Sequence, residues 1–357
     1  MKIEEIKVPQ TIKLDVCEEM VKCAVIGDLH IKLSNIKQSQ ELLKKCYDTI
    51  KESKVTFVVI LGDILDSNEK VNVQAHGVIE EFVRKLNVNK IHTFMIIGNH
   101  DYINNSQFHT ESHIFTPFKG WKNVTVVDST THLSVNNHSI IFTPYVQPGR
   151  FIESLNTLTS VNEMWENASC IFAHQEVTYS TQDPDIWTEE NPPIVSGHRH
   201  KSHKVGKNVY YPGSPISHSI SDEDDKFIWT ISFDKIDEEN EGYPYFFIEK
   251  HNTNMRKKIC KEFSNIDSLN QLNFEDYDSC DLTVKVCATP DEFKAFKKGE
   301  VYAAAAEKDV AIIRTSLKSK SDKSHKKLHK KFEDIITEHL DEEDEQTQSL
   351  FKEICLV

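Results

Sequence analysis

The chain has 357 residues, 38% of them hydrophobic and 27% charged, with a mean hydropathy of −0.47, enough to bury one full core and a smaller second one. Such a composition excludes a disordered or collagen-like chain. Its 42 Lys and Arg face 56 Asp and Glu, a net charge of −14, which argues against a protein that coats nucleic acid by bulk charge.

No apolar run approaches the roughly 20 residues needed to cross a bilayer. The amino terminus, MKIEEIKVPQ, mixes charges of both signs where a signal peptide is apolar. The expectation is an intracellular protein, cytoplasmic or nuclear, with no membrane contact. Eight dispersed cysteines without a CxxC pair read as reduced thiols, most of them core fillers.

From the amino terminus, Cys23–Ile26, Phe57–Leu61, Phe94–Ile97, Val124–Val127, Ile140–Phe142 and Cys170–Ala173 read as strands whose continuous apolar residues suit burial on both faces. Between the first two runs, Leu42, Leu43, Cys46 and Ile50 recur at helical spacing. Val78, Ile79, Phe82 and Leu86 do so before the third. A βαβαβ start predicts a parallel sheet with right-handed crossovers. Further strands at Val209–Tyr211, Phe227–Phe233 and Tyr245–Ile248, with few helical patterns between them, predict a second sheet packed on the first. The fold class is α/β, a layered sandwich.

Polar composition from Asn252 to Phe274 carries no strand signal, and a domain boundary is placed near 255. Asp281–Val286, a helix over Asp291–Lys298 and Val310–Thr315 then predict a small βαβ-like unit. Seven lysines lie between Lys318 and Lys331, able to neutralise backbone phosphates or to form a charged linker. A helical pattern (Phe332, Ile335, Ile336, Leu340), an acidic stretch (Asp341–Glu345) and a final short helix (Leu350, Phe351, Ile354) follow, with too few apolar residues for a core of their own.

Four polar clusters stand directly after strand runs, where the carboxyl ends of a parallel sheet open onto a crevice. They are Gly27-Asp28-Leu29-His30, Gly62-Asp63-Ile64-Leu65-Asp66, Gly98-Asn99-His100-Asp101, and His174 with Gly197-His198-Arg199-His200. Asp, Asn and His supply oxygen and nitrogen donors without sulfur, suiting Mn, Fe or Zn. Seven candidate ligands exceed one tetrahedral ion and suit two ions sharing a carboxylate.

GDxH, GDxxD, GNHD, a lone His and GHxH, in this order over residues 23–200, resemble the signature of the calcineurin-like metallophosphoesterases. The resemblance implies a four-layer α/β/β/α metallophosphoesterase sandwich. It implies one ion held by Asp28, His30 and His200, another by Asn99, His174 and His198, and Asp63 bridging them. His100 would face the scissile phosphate, with Asp101 fixing its orientation. The pattern departs from the GDxxDRG and GNHE of protein phosphatases. Instead, Tyr211-Pro212-Gly213-Ser214-Pro215 after GHRH resembles the YxGSP segment of SbcD-type DNA double-strand-break repair nucleases.

That resemblance implies two divalent ions, manganese foremost, DNA as substrate, and an SbcC-type coiled-coil ATPase as partner. It further implies a nuclease domain over 1–254, a small α+β capping domain over 255–324 and a helical C-terminal tail over 325–357 that binds the ATPase. A homodimer contact through the helix Val78–Leu86 is also implied, although the sheet alone explains that apolar face. The function expected is 3′ to 5′ exonuclease action on duplex ends and endonuclease action on single strands. Alternatives are a phosphoesterase for a cyclic nucleotide or other small phosphate, and a degenerate scaffold. His109 and His113, in the loop after Asp101, read as solvated rather than DNA-contacting.

Overall fold

The computed structural model describes residues 10–14, 20–67, 71–103, 108–158, 165–179, 185–219, 225–233, 246–308 and 310–316. These form a mixed α/β fold with three sheets. The predicted tail with its acidic stretch and the lysine run lie outside the described residues.

In the first sheet, β2 (Val21–Ile26), β3 (Phe57–Ile60), β4 (His92–Ile96) and β5 (Val124–Val127) run parallel. On the other side of β2, β12 (Phe227–Phe233) and then β13 (Phe246–Asn252) add antiparallel. The crossovers are α1 (Ile36–Ser53) and α2 (Val73–Val88). Asn72 starts α2 by accepting from the amides of Gln74 and Ala75, and left-handed Lys54 ends α1.

The second sheet runs β1 (Gln10–Lys13), β6 (Thr131–Val135), β7 (His138–Phe142), β8 (Cys170–Ala173), β9 (Ile194–Ser196), β11 (Val209–Tyr211) and β10 (His203–Val205). Its face packs on the first: Val21, Cys23, Val25, Phe57, Val59 and Phe94 share one buried core with Leu133, Ile140, Phe142, Cys170 and Phe172. Phe94 and Phe142 stack across it at 4.0 Å. Alternate residues Ala24, Ile26, Val58 and Ile60 point the other way, into a core shared with Leu42, Cys46, Ile79 and Phe82 of the helices. A third core, with Phe151 and Leu155 of α3 (Phe151–Leu155), Trp165 and Trp187, covers the outer face of the second sheet. The central strands β2, β3, β4, β7, β8 and β9 are thus buried on both faces, the reason their apolar runs are unbroken, and each large side chain contributes about 1.5–3 kcal/mol.

The third sheet, ordered β14 (Lys257–Phe263), β15 (Cys280–Cys287) and β16 (Ala311–Thr315), accompanies α4 (Ile266–Leu269), α5 (Pro290–Phe296) and α6 (Glu300–Glu307). The described residues divide into a larger unit, up to Lys261 with Asn273–Val284 and Ala305–Ala311, and a smaller one of Glu262–Leu272, Lys285–Ala304 and 312–316.

Four expectations change. Phe227–Phe233 and the strand at Phe246–Asn252, expected in the second sheet, instead extend the first beside β2. The stretch after Asn252, read as lacking strands, contains β14, whose half-exposed residues carry no apolar run. Residues 300–307 form a helix that the sequence reading passed over. Ahead of the first expected strand, Gln10–Lys13 pairs in parallel with β6 as an edge strand, with Ile12 packed on the intersheet core. The six described cysteines are free, and Cys23, Cys46 and Cys170 fill cores. Among the described residues no helix is long and apolar enough to cross a membrane.

Candidate metal centre

The five strand ends that carry the polar motifs belong to both sheets: β2, β3 and β4 from the first, β8 and β9 from the second. Their side chains converge in two groups that share no residue, and a third group, His30, Asp63 and His100, overlaps both. Asp28, His30 and His200 each bring one donor atom within 4.8 Å of the others, and so do Asp63, His174 and His198. Asn99 joins the second group, its Oδ1 lying 3.0 Å from His174 Nε2 and 2.9 Å from His198 Nδ1. All seven candidate ligands are therefore brought together.

Asp63 lies between the groups. Its Oδ1 is 3.3 Å from His174 Nε2, while its Oδ2 is 3.5 Å from His30 Nε2. His30, Asp63 and His198 adopt φ of 43°, 45° and 74°. This left-handed backbone is uncommon outside glycine and costs about 1–3 kcal/mol per residue, so surrounding bonds must impose it. Those bonds are present: the amides of Leu29 and His30 donate to the Asp63 carbonyl, and the His198 amide donates to Asp28 Oδ1 at 2.8 Å. Gly98 is required because a Cβ there would collide with the Asp63 amide and carboxylate.

The donor chemistry fits cations. Asp28 is fully buried, and its Oδ2 has no hydrogen-bond partner among the described residues. A buried carboxylate oxygen without a partner is costly unless a cation faces it. His30 Nε2 and His200 Nε2 face one another at 3.1 Å, two nitrogens aimed at one point. His174 Nδ1 donates to the Leu61 carbonyl at 2.7 Å, which turns Nε2 into the site, the outer contact that orients metal-binding imidazoles.

Electrostatics separate the imidazoles. Burial pulls His30 down to about 2 and, with His174 nearby, pulls His198 to about 4. Burial works the same way on His174, but Asp63 and Asp28 outweigh it and hold that imidazole at about 9. At neutral pH, His174 alone of these three carries a proton that a metal must displace. Binding of a divalent ion to metal-free protein at pH 7 is expected to release at least about one proton per chain, with affinity rising as pH climbs through 9. Calorimetry in buffers of different ionisation enthalpy measures this; binding without release at pH 7 would contradict the His174 assignment.

One expected role is corrected. Asp101 does not orient His100: its carboxylate accepts from the amides of Ile64, Leu65 and Gly98 at 3.0–3.3 Å, stapling the Asp63 loop to the Gly98 turn. Burial and Asp63 push its carboxyl up to about 7 in spite of these amides. His100 is held instead by its Nδ1 donating to the Asp66 carbonyl at 2.8 Å, and its amide donates to Asp63 Oδ1 at 2.9 Å.

His109 and His113 are not solvated. His109 Nε2 meets Ser154 Oγ at 2.7 Å and His113 Nε2 meets Asp128 at 3.0 Å, both buried. Their partners come from other parts of the fold, which a local reading of a polar loop misses.

Sequence reasoning also missed the supports. Ser214 Oγ lies 2.7 Å from the Asp28 carbonyl, and the Ser214 amide donates to the His200 carbonyl at 3.0 Å. Gly213, at φ 78°, presses its carbonyl where a Cβ of Gly27 would lie. Tyr211-Pro212-Gly213-Ser214-Pro215 thus stitches the GDLH loop to the GHRH loop. Tyr145 stacks on His198 at 6.1 Å.

Two packed sheets whose strand ends gather oxygen and nitrogen donors about one shared carboxylate fit the class of metallophosphoesterases. The model of the calcineurin-like phosphoesterases matches residues 21–228, more than half of the chain, and the chain belongs to that family. It is similar to "Putative phosphoesterase 244L" of Invertebrate iridescent virus 6, 33% identical over 295 residues, 78% of this chain and 98% of that protein. "Putative phosphoesterase 078R" of Invertebrate iridescent virus 3 is 31% identical over 330 residues, 90% of this chain and 92% of that protein. "DNA double-strand break repair protein Mre11" of Nanoarchaeum equitans is 25% identical over 243 residues, 58% of this chain and 65% of that protein.

Proposed function

We propose that this metallophosphoesterase is an SbcD-type DNA nuclease, using two divalent ions, manganese foremost, and working with a coiled-coil ATPase. The observation that carries the reading is the Tyr211–Pro215 segment, a YxGSP sequence whose Ser214 braces both Asp28 and His200. The archaeal relative named for double-strand-break repair supports the same substrate class.

In this reading Asp28, His30 and His200 hold one ion, Asn99, His174 and His198 the other, and Asp63 serves both. When bound, the ions supply Lewis-acid neutralisation of phosphoryl oxygens and acidify water into a nucleophile. The chain does the rest. Asp63 sets the spacing between the groups, and Asp101 locks the Asp63 loop against the Gly98 turn. His100 offers Nε2, its Nδ1 already committed to Asp66, as the proton donor to the leaving oxygen.

The proposed assembly includes an ATPase bound through 325–357, which lies outside the described residues, and a homodimer through α2. The expected activity is 3′ to 5′ exonuclease on duplex DNA and endonuclease on single strands. Linear duplex and single-stranded DNA labelled at either end, incubated with the full chain and manganese, magnesium or EDTA, provide the test. Shortening from the 3′ end with manganese and none with EDTA is the expected result. Hydrolysis of a small phosphodiester or cyclic nucleotide without any attack on DNA, even with an ATPase partner present, would overturn it.

A further inference from the structure

No motif in the sequence picks out His218, which follows the Tyr211–Pro215 turn. Its ring lies 4.9 Å from that of His30, at 77°, and 5.2 Å from that of His200, at 65°. Its Nε2 is 2.6 Å from Ser214 Oγ and 3.1 Å from the Asp28 carbonyl oxygen. A carbonyl only accepts, so this contact assigns the hydrogen to Nε2. The His218 carbonyl in turn accepts from Lys258 Nζ at 3.2 Å. One side chain therefore touches every member of the first group, through the backbone of Asp28 and the ring edges of His30 and His200.

The two groups differ in how their imidazoles are fixed. His174 is anchored by a main-chain carbonyl. Among the described residues, neither ring nitrogen of His30 or His200 has such an anchor, and His30 is confined by edge-on packing against His100, His200 and His218. A coordinating imidazole must hold its nitrogen to within about 0.5 Å, and the contacts that orient it set metal affinity. Among the described residues, His218 is in none of the groups able to hold an ion itself.

We infer that His218 is a positioning residue for the first group, holding Asp28, His30 and His200 in register for a cation and thereby setting the affinity of one ion of the pair. This rests on the two-ion reading of the centre. Its effect is selective: the second group, braced by the Leu61 carbonyl and Asn99, does not depend on it.

Calorimetric titration of manganese into the metal-free full chain separates the possibilities, with far-UV circular dichroism and metal content by mass spectrometry alongside. Wild type is expected to take up two ions. His218→Ala is expected to keep one at unchanged affinity and bind the other about 10- to 100-fold more weakly. His218→Gln, which restores a donor toward the Asp28 carbonyl without the ring, recovers part of the loss. Two ions bound by folded His218→Ala at wild-type affinity, or equal weakening of both, would overturn the assignment. If His218→Ala does not fold, His218→Gln and His218→Phe decide by the same criterion. Failure of wild type to bind two ions would sink the two-ion reading as well, a result distinct from failure of His218 alone.

Discussion

Asp63→Asn is expected to reduce phosphodiester hydrolysis by at least about 10³-fold while leaving a folded protein. Asp63 is the carboxylate with one oxygen toward each group, 3.3 Å from His174 and 3.5 Å from His30. Burial alone would raise its pKa, but His174, His30 and His100 together hold it below the usual carboxylate range, so it is anionic at every working pH. Asparagine preserves the volume and one oxygen, able to accept from the His100 amide as Asp63 Oδ1 does. What it removes is the negative charge that two adjacent cations need between them. Turnover of bis(p-nitrophenyl) phosphate, metal content and thermal unfolding report the three quantities separately. Activity within tenfold of wild type would show that Asp63 does not join two centres.

The same residue shows why part of the site is legible in sequence and part is not. Gly62-Asp63 follows β3 after Leu61 alone, and an unbroken run such as Phe57–Ile60 is written by burial on both faces. A strand end followed by glycine and a donor side chain is a local pattern, and four such ends, with His174 after β8, bring the seven donors to one place. Edges obey no such rule. Gln10–Lys13 and Lys257–Phe263 are strands through backbone pairing, with few apolar side chains to announce them. In β6, Thr131 and His132 are buried because Ser129 and Ser139 meet their polar atoms, contacts that periodicity cannot register.

Contacts between distant segments are illegible for the same reason. The motif GNHD invites pairing of its last two residues, yet the carboxylate of Asp101 is consumed by amides 36–37 residues earlier and by Gly98. His100 turns instead to a carbonyl 34 residues away. Side-chain identity marked both residues as belonging to the site. Which neighbour each would engage depended on how closely the β3 and β4 turns approach, a consequence of Gly98 having no Cβ.

His100→Ala is expected to lower hydrolysis by about 10²–10⁴-fold with both ions retained, the range for loss of a positioned acid. His100 is the most exposed of the central histidines that pair with Asp63, its side chain 43% accessible, and its Nε2 is 4.0 Å from Asp63 Oδ2. Because Nδ1 is tied to the Asp66 carbonyl, only Nε2 can deliver a proton to a departing oxygen. A substrate with a stable leaving anion, such as p-nitrophenolate, needs that proton less than a nucleotide alkoxide does. The loss should therefore be smaller for bis(p-nitrophenyl) phosphate than for DNA, a difference that reports on transition-state protonation rather than on binding. His30, Asp63 and His100 also form a group whose donor atoms could hold an ion. That geometry makes the opposite result meaningful: if metal content falls in step with activity and both substrates suffer equally, His100 acts as a ligand and the proton must come from elsewhere.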